Sequence, residues 1–156
     1  MISLGEYRFI KGLDPVADAF EGTTGTQRSA VINVSGFHKL LFLIIKGVGT
    51  TGTSTVTVSA CDNVTPTTEV AVPFTYQKCT DPDAPGAVTA VAATGFATTA
   101  GSSDLYAVEV DMKALASTGY KYCCLKMVQV VDSPIVGAIV AMGVPRYVNS
   151  SAAVTT

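Results

Sequence analysis

Residues able to do acid–base, nucleophilic or metal chemistry are few in this chain, and they are scattered. His38, the single histidine, stands beside Lys39 at the head of an apolar run. As the base of a catalytic triad it would need a positioned serine and an acid, and no Gly-x-Ser-x-Gly elbow offers the serine. A structural histidine at a strand entrance is the expected reading. The four cysteines, Cys61, Cys79, Cys123 and Cys124, lack the paired Cys-x-x-Cys turns that usually supply zinc ligands. On a strand, Cys123 and Cys124 would point to opposite faces, which spoils them as joint ligands. Buried free thiols are therefore expected. A Cys61 to Cys79 disulfide is the second reading, opposed by a reducing compartment.

Three acids, Asp14, Asp18 and Glu21, read as the solvated face of a short helix, and Asp81 and Asp83 as turn residues with too few oxygen ligands nearby for calcium. The glycines between Gly47 and Gly52 lack the Gly-Lys-Ser/Thr ending of a phosphate-cradling loop. No dinucleotide, haem or zincin motif is present. The expectation is a protein that is not an enzyme, with no catalytic, metal or cofactor-binding residues and no cofactor.

The elements that would carry these residues read as strands. Six consecutive apolar residues at positions 40–45, bounded by Lys39 and Lys46, are too few for a separate helix, and their branched and aromatic content favours a strand. Side chains alternate across a strand, so Leu41, Leu43 and Ile45 share one face and Leu40, Phe42 and Ile44 the other. Both faces want to be dry. Leaving Leu40, Phe42 and Ile44 in water would forfeit about 5 to 9 kcal/mol, comparable to the stability of a whole domain. Two explanations stand open: a loop, such as residues 78–104, folds over the outer face, or a second copy or a partner protein covers it. Leu40, Phe42 and Ile44 are thus candidate interface residues, joined by Tyr7 and Phe9 if the first ten residues form an arm. A plain edge strand is the competing reading of that segment.

Along the chain, residues 7–10 form a short first strand or an arm. Asp14, Pro15 and Gly22 punctuate one or two helical turns over 14–22, and residues 23–27 are loop. Residues 30–35 alternate as a half-buried strand. A glycine-rich turn at 47–52 then reverses the chain, pairing 37–46 with 53–60 as a hairpin. If Lys46 lies opposite Thr53, Leu41 and Leu43 meet Val58 and Val56, although a slip of one residue would exchange the faces. Val70, Val72, Phe74 and Tyr76 alternate around Pro73, which demands an edge or a bulge. A weak strand falls near 88–93 and a clean one at 105–110, with Tyr106, Val108 and Val110 on one side. Asp111 caps a short helix closed by Gly119. Long strands follow at 120–131 and 135–144.

About eight strands separated by Gly, Pro, Asn and Asp turns give an all-β fold, an antiparallel β-sandwich, jelly-roll-like, with one or two short helical turns. Residues 1–156 are expected to form one domain, with residues 1–28 an N-terminal arm and short helix and residues 148–156 a flexible tail. Charged residues are only 14% of the chain and the net charge is -2, so no clustered basic surface points to nucleic acid. Residues 1–6 show no secretory pattern, and the longest apolar segment, residues 135–145, is short of the ~20 residues of a membrane helix. A soluble protein made in a cytoplasm is expected.

The carboxyl-terminal third, from Val108-Glu109-Val110-Asp111 through Gly119-Tyr120-Lys121-Tyr122 to Ser133-Pro134-Ile135 and Pro145-Arg146-Tyr147, resembles small structural proteins of tailed bacteriophages. In that group a Gly-Tyr-Lys-Tyr strand is followed by a Ser-Pro turn and an apolar strand ending near Pro-Arg-Tyr. The apolar strand after Gly36-Phe37 is also similar, and the similar segments cover about half of the chain. The resemblance implies a capsid decoration (cement) protein: a β-sandwich, often trimeric, bound to the outer capsid surface of the virion and bridging subunits of the major capsid protein. It implies synthesis in the host cytoplasm. The pair Cys123-Cys124 and the Ala/Thr-rich loop depart from the pattern. A receptor- or carbohydrate-binding sandwich of a phage tail fibre or baseplate is the alternative, weakened by the absence of Trp.

Overall fold

The computed structural model describes residues 6–19, 25–101 and 103–147. Within them the alternating runs do become strands, arranged as two antiparallel sheets packed face to face in a sandwich. Seven strands carry the architecture: β1 (Arg8–Val16), β4 (Phe37–Lys46), β5 (Thr53–Cys61), β7 (Phe74–Asp81), β11 (Asp104–Val110), β12 (Tyr122–Val131) and β13 (Gly137–Pro145). Shorter ones fill the edges: β2 (Thr26–Arg28), β3 (Ile32–Asn33), β6 (Glu69–Val72), β8 (Ala84–Pro85), β9 (Thr89–Val91) and β10 (Phe96–Ala97).

Sheet A runs β1-β13-β4-β11-β7-β8, with β9 also on β7; sheet B runs β10-β5-β12-β2, with β6 on β5 and β3 on β12. The expected hairpin between 37–46 and 53–60 does not form. The turn after Lys46 carries the chain from sheet A to sheet B, so β4 pairs with β11 and β13 while β5 pairs with β12. Val56 and Val58 therefore meet the side chains of β4 across the core, and no register between the two strands exists. Pro73 has a related role. The run expected as one strand is cut there, because a residue without an N–H cannot continue a ladder: β6 ends on sheet B and β7 begins on sheet A.

The inner faces interlock. From sheet A come Ile10, Leu40, Phe42, Ile44, Tyr106, Val108 and Ile139; from sheet B come Val56, Val58, Cys123, Leu125 and Met127, all buried in one cluster. Phe74, Tyr76, Phe96 and Tyr106 close the sandwich at the β7 side, where Tyr76 and Phe96 stack with ring centres 3.9 Å apart. The helix α1 (Met112–Ser117) forms as expected, because the Asp111 carboxylate accepts from the amides of Lys113 and Ala114 and Gly119 supplies the positive φ that ends it.

At the amino end Arg8–Val16 is an edge strand on β13, with register shifts around Leu13 and Val16. This is the edge-strand reading of the segment, and the arm over residues 8–10 and the helix from Asp14 are corrected accordingly. Asp14, Pro15 and Val16 belong to the strand, and an edge tolerates proline. Residues 17–19 are irregular rather than helical, and the rest of the expected helix, residues 20–22, lies outside the described residues, as do residues 1–5 of the expected arm and the tail 148–156. Residues 26–28, expected as loop or arm, form β2. No helix among the described residues is long and apolar enough to cross a membrane.

Candidate interface and buried polar clusters

The strand β4 decides which surface is free. Leu40, Phe42 and Ile44 are 0%, 0% and 1% exposed, enclosed by their own chain. They are core residues, and their assignment as interface is corrected: the partner that keeps them dry is sheet B. The outward residues are the other set. Leu41 and Leu43 are half-buried and Ile45 is 50% exposed.

Register extends this face across sheet A. One row runs Phe9, Met142, Leu41, Glu109, Thr75; the next runs Lys11, Val140, Leu43, Ala107, Gln77; a third runs Ala138, Ile45, Leu105, Cys79. Each residue is the direct cross-strand neighbour of the next, so the side chains of a row share one face. The centre is aliphatic and none of it is fully buried. Polar groups stand around it: Lys11 on the β1 edge, Gln77 and Thr75 on the β7 side, and the ion pair of Lys39 with Glu109 at 3.1 Å. An apolar centre inside a polar rim is the anatomy of a protein–protein contact surface. The described part of segment 78–104 borders this face and reaches its β7 side, where Val88 lines a recess with Leu41, Ala107 and Glu109, without closing it. Its strands β8 and β9 extend the sheet beside β7, Val88 stays exposed, and β10 crosses to sheet B.

Of the two aromatic candidates near the amino terminus, Phe9 lies on this surface and is 58% exposed, whereas Tyr7, half-buried, precedes β1. His38 is exposed at the same end of β4, where it lines a recess of about 360 Å³ with Lys39, Thr75, Glu109 and Asp111. Neither acid is held for acid–base work with the imidazole. Asp111 is committed to the α1 amides and Glu109 to Lys39.

Two polar clusters are built by strand pairing that no local motif announces. Between the sheets, Asp104 lies directly across from Lys46. Its carboxylate receives Lys78 at 3.3 Å, the Thr80 hydroxyl at 3.0 Å and the Tyr106 hydroxyl at 3.3 Å, with Lys46 at 3.8 Å. Both Lys46 and Asp104 are fully buried. Burial pulls the Lys46 ammonium below its ordinary pKa, the attraction of Asp104 notwithstanding, and burial pushes the Tyr106 phenol up.

The second cluster sits on the far side of sheet B. Cys61 pairs with Glu69 on one neighbouring strand and Tyr122 on the other, which sets Cys124 diagonally beside it on the same face. The Cys61 and Cys124 sulfurs are 3.5 Å apart, and a Glu69 carboxylate oxygen lies within 4.8 Å of both. Glu69 is ion-paired with Arg28 and, at 2.7 Å, with Lys126. Cys123, as alternation requires, points the other way into the main core. Cys79 lies on sheet A, so the expected Cys61 to Cys79 pairing is corrected: the neighbour of Cys61 is Cys124. The four thiols are free, three of them buried and Cys79 half-buried.

Comparison with protein families finds no match, and comparison with curated proteins finds none. Among solved structures the chain is similar to the SPBc2 prophage-derived protein YomS, with a TM-score of 0.45 and 15% identity over 90% of this chain and 97% of that one. A likeness at that level carries no argument about activity or partners.

Proposed function

We propose that this chain is a non-enzymatic structural protein of a tailed-bacteriophage virion, a decoration (cement) protein that binds the outer capsid surface as an oligomer and stabilises contacts between major capsid subunits. The observation that carries the reading is the outer face of sheet A. A central patch of Leu41, Leu43, Ile45, Leu105, Val140 and Met142 is left half-covered by a domain that has already filled its core. Surfaces of that kind mark sites of association. The sequence likeness of residues 108–147 to phage structural proteins supplies the identity of the partner, and the trimeric state is the one that likeness implies.

The mechanism is interface burial. Each Å² of apolar surface withdrawn from water contributes roughly 25 cal/mol, and many copies on one shell sum that gain over its seams. No nucleic acid or membrane is needed in this account. The alternative, a receptor- or carbohydrate-binding sandwich, has less support: sugar-binding sites stack their ligands on exposed rings, whereas Phe74, Tyr76, Phe96 and Tyr106 pack on one another, leaving Phe9 and Tyr147 as the strongly exposed rings among the described residues.

Co-sedimentation with shells assembled from the major capsid protein of the phage that encodes the chain tests the proposal. Wild type is expected to pellet with the shells and Leu43→Glu to stay in the supernatant while remaining folded by circular dichroism. Wild-type protein that ignores the shells overturns the proposal, as does a folded Leu43→Glu that binds them as well as wild type.

A further inference from the structure

The Cys61–Cys124 pair is not used by the proposed interface, which lies on the other sheet. The two residues come from neighbouring antiparallel strands, project from the same face, and hold their sulfurs 3.5 Å apart. A covalent bond needs the sulfurs about 2.05 Å apart, a closure of about 1.5 Å. Cys61 and Cys124 are themselves fully buried, and solvent reaches only the shell beside them. Glu69, within 4.8 Å of both sulfurs, is 17% exposed, and its two cationic partners, Arg28 and Lys126, are more exposed still. Those cations occupy the carboxylate, so a metal ion would have to displace them before it could use Glu69 as a ligand.

We propose that Cys61 and Cys124 form an oxidisable pair that closes to a cross-strand disulfide joining β5 and β12, with a peroxide as the oxidant. Cys61 is the attacking sulfur. Either sulfur can donate across the 3.5 Å contact, and the Cys61 S–H also lies 3.6 Å from the Ser59 carbonyl; when Cys124 donates, the contact lowers the Cys61 thiol and raises the Cys124 thiol, while burial opposes ionisation of both. The Cys61 thiolate attacks one oxygen of hydrogen peroxide, breaking the O–O bond; it becomes a sulfenic acid, and the departing hydroxide takes a proton to give water. The Cys124 sulfur then attacks the sulfenic sulfur, the S–O bond breaks, and the second water leaves with the Cys124 proton. Two thiols are oxidised, one peroxide is reduced, and two waters form. The bond would staple strands whose cysteines are 63 positions apart in the chain, which restricts the unfolded state.

The test is exposure of the reduced full-length chain to hydrogen peroxide, followed by unfolding, alkylation and peptide mapping by mass spectrometry. The expected result is a mass loss of about 2 Da before alkylation, two alkylated thiols where there were four, a peptide joining Cys61 to Cys124, and a melting temperature raised by on the order of 10 °C. Cys79→Ser should still form the bond and Cys124→Ser should not. Because Cys124→Ser also places a hydroxyl where a buried thiol packed, and so can weaken folding, the linked wild-type peptide is the deciding readout. Four free thiols after exposure would overturn the proposal, as would oxidation confined to Cys79, or one equivalent of zinc retained on Cys61 and Cys124 that blocks the reaction.

Discussion

Substituting Phe42 and its neighbour Leu43 separately by alanine tests the orientation of β4, on which the assignment of surface and core depends. Phe42 is wholly enclosed between the sheets, so Phe42→Ala removes buried surface and leaves a cavity in a close-packed interior. The expected loss is about 3 to 5 kcal/mol. Leu43 lies on the outer face and is half-buried; full burial of a leucine is worth about 1.5 to 3 kcal/mol, so its truncation in the isolated subunit should cost about 1 kcal/mol. At roughly 2 to 4 °C per kcal/mol for a chain of this size, Phe42→Ala should lower the melting temperature by about 6 to 20 °C and Leu43→Ala by about 2 to 4 °C. Urea titration followed by circular dichroism measures both losses, and a thermal melt the shifts. Equal losses, or a larger loss from Leu43→Ala, would refute the orientation, since a strand turned over by one residue exchanges the two roles.

Other outcomes follow from the same packing. Gly95 has a φ of +82°, and a β-carbon there would fall on the Val56 carbonyl oxygen, so Gly95→Ala should destabilise by more than about 1 kcal/mol in the same titration. In the Asp104 cluster the two shifts act with opposite signs. Lys46 is depressed below 10.5, so as pH approaches 10.5 the unfolded chain holds a proton that the folded chain has lost, and stability rises with pH. Tyr106 is raised above 10.0, so above pH 10 the folded chain keeps a proton that the unfolded chain loses, and stability falls. Urea midpoints measured from pH 7 to 11 should show Lys46→Met flattening the rise and Tyr106→Phe flattening the fall; unchanged slopes in both variants would contradict this.

The legibility of this fold in its sequence divides along the line between local and non-local interactions. Alternation puts Tyr106, Val108 and Val110 on one face, and all three are buried. The cap at Asp111 and the stop at Gly119 are local chemistry, and the helix between them forms as read. Likewise, the opposed directions of Cys123 and Cys124 follow from the pleat alone. Pairing partners are not local. A glycine-rich turn of six residues serves equally to fold a hairpin or to step between sheets about 10 Å apart, and nothing in residues 47–52 distinguishes the two. The two-sided dryness of β4 is legible, but which side meets sheet B is not, because Leu40, Phe42 and Ile44 are as apolar as Leu41, Leu43 and Ile45. The Asp104 and Cys61–Cys124 clusters are assembled by residues tens of positions apart and carry no motif. Their only sequence trace is a pair of strands whose register must be known first.

We propose that copies of this chain and the capsid associate through the outer face of sheet A. Sedimentation velocity of the wild type and of Leu43→Glu addresses its self-association directly, because a charge at the centre of a buried apolar contact is costly while on a free surface it is nearly neutral. The account predicts an oligomer, with the mass of a trimer, for the wild type and a folded monomer for the variant. A wild type that sediments as a monomer at every concentration, or a variant that keeps the wild-type mass, would contradict it.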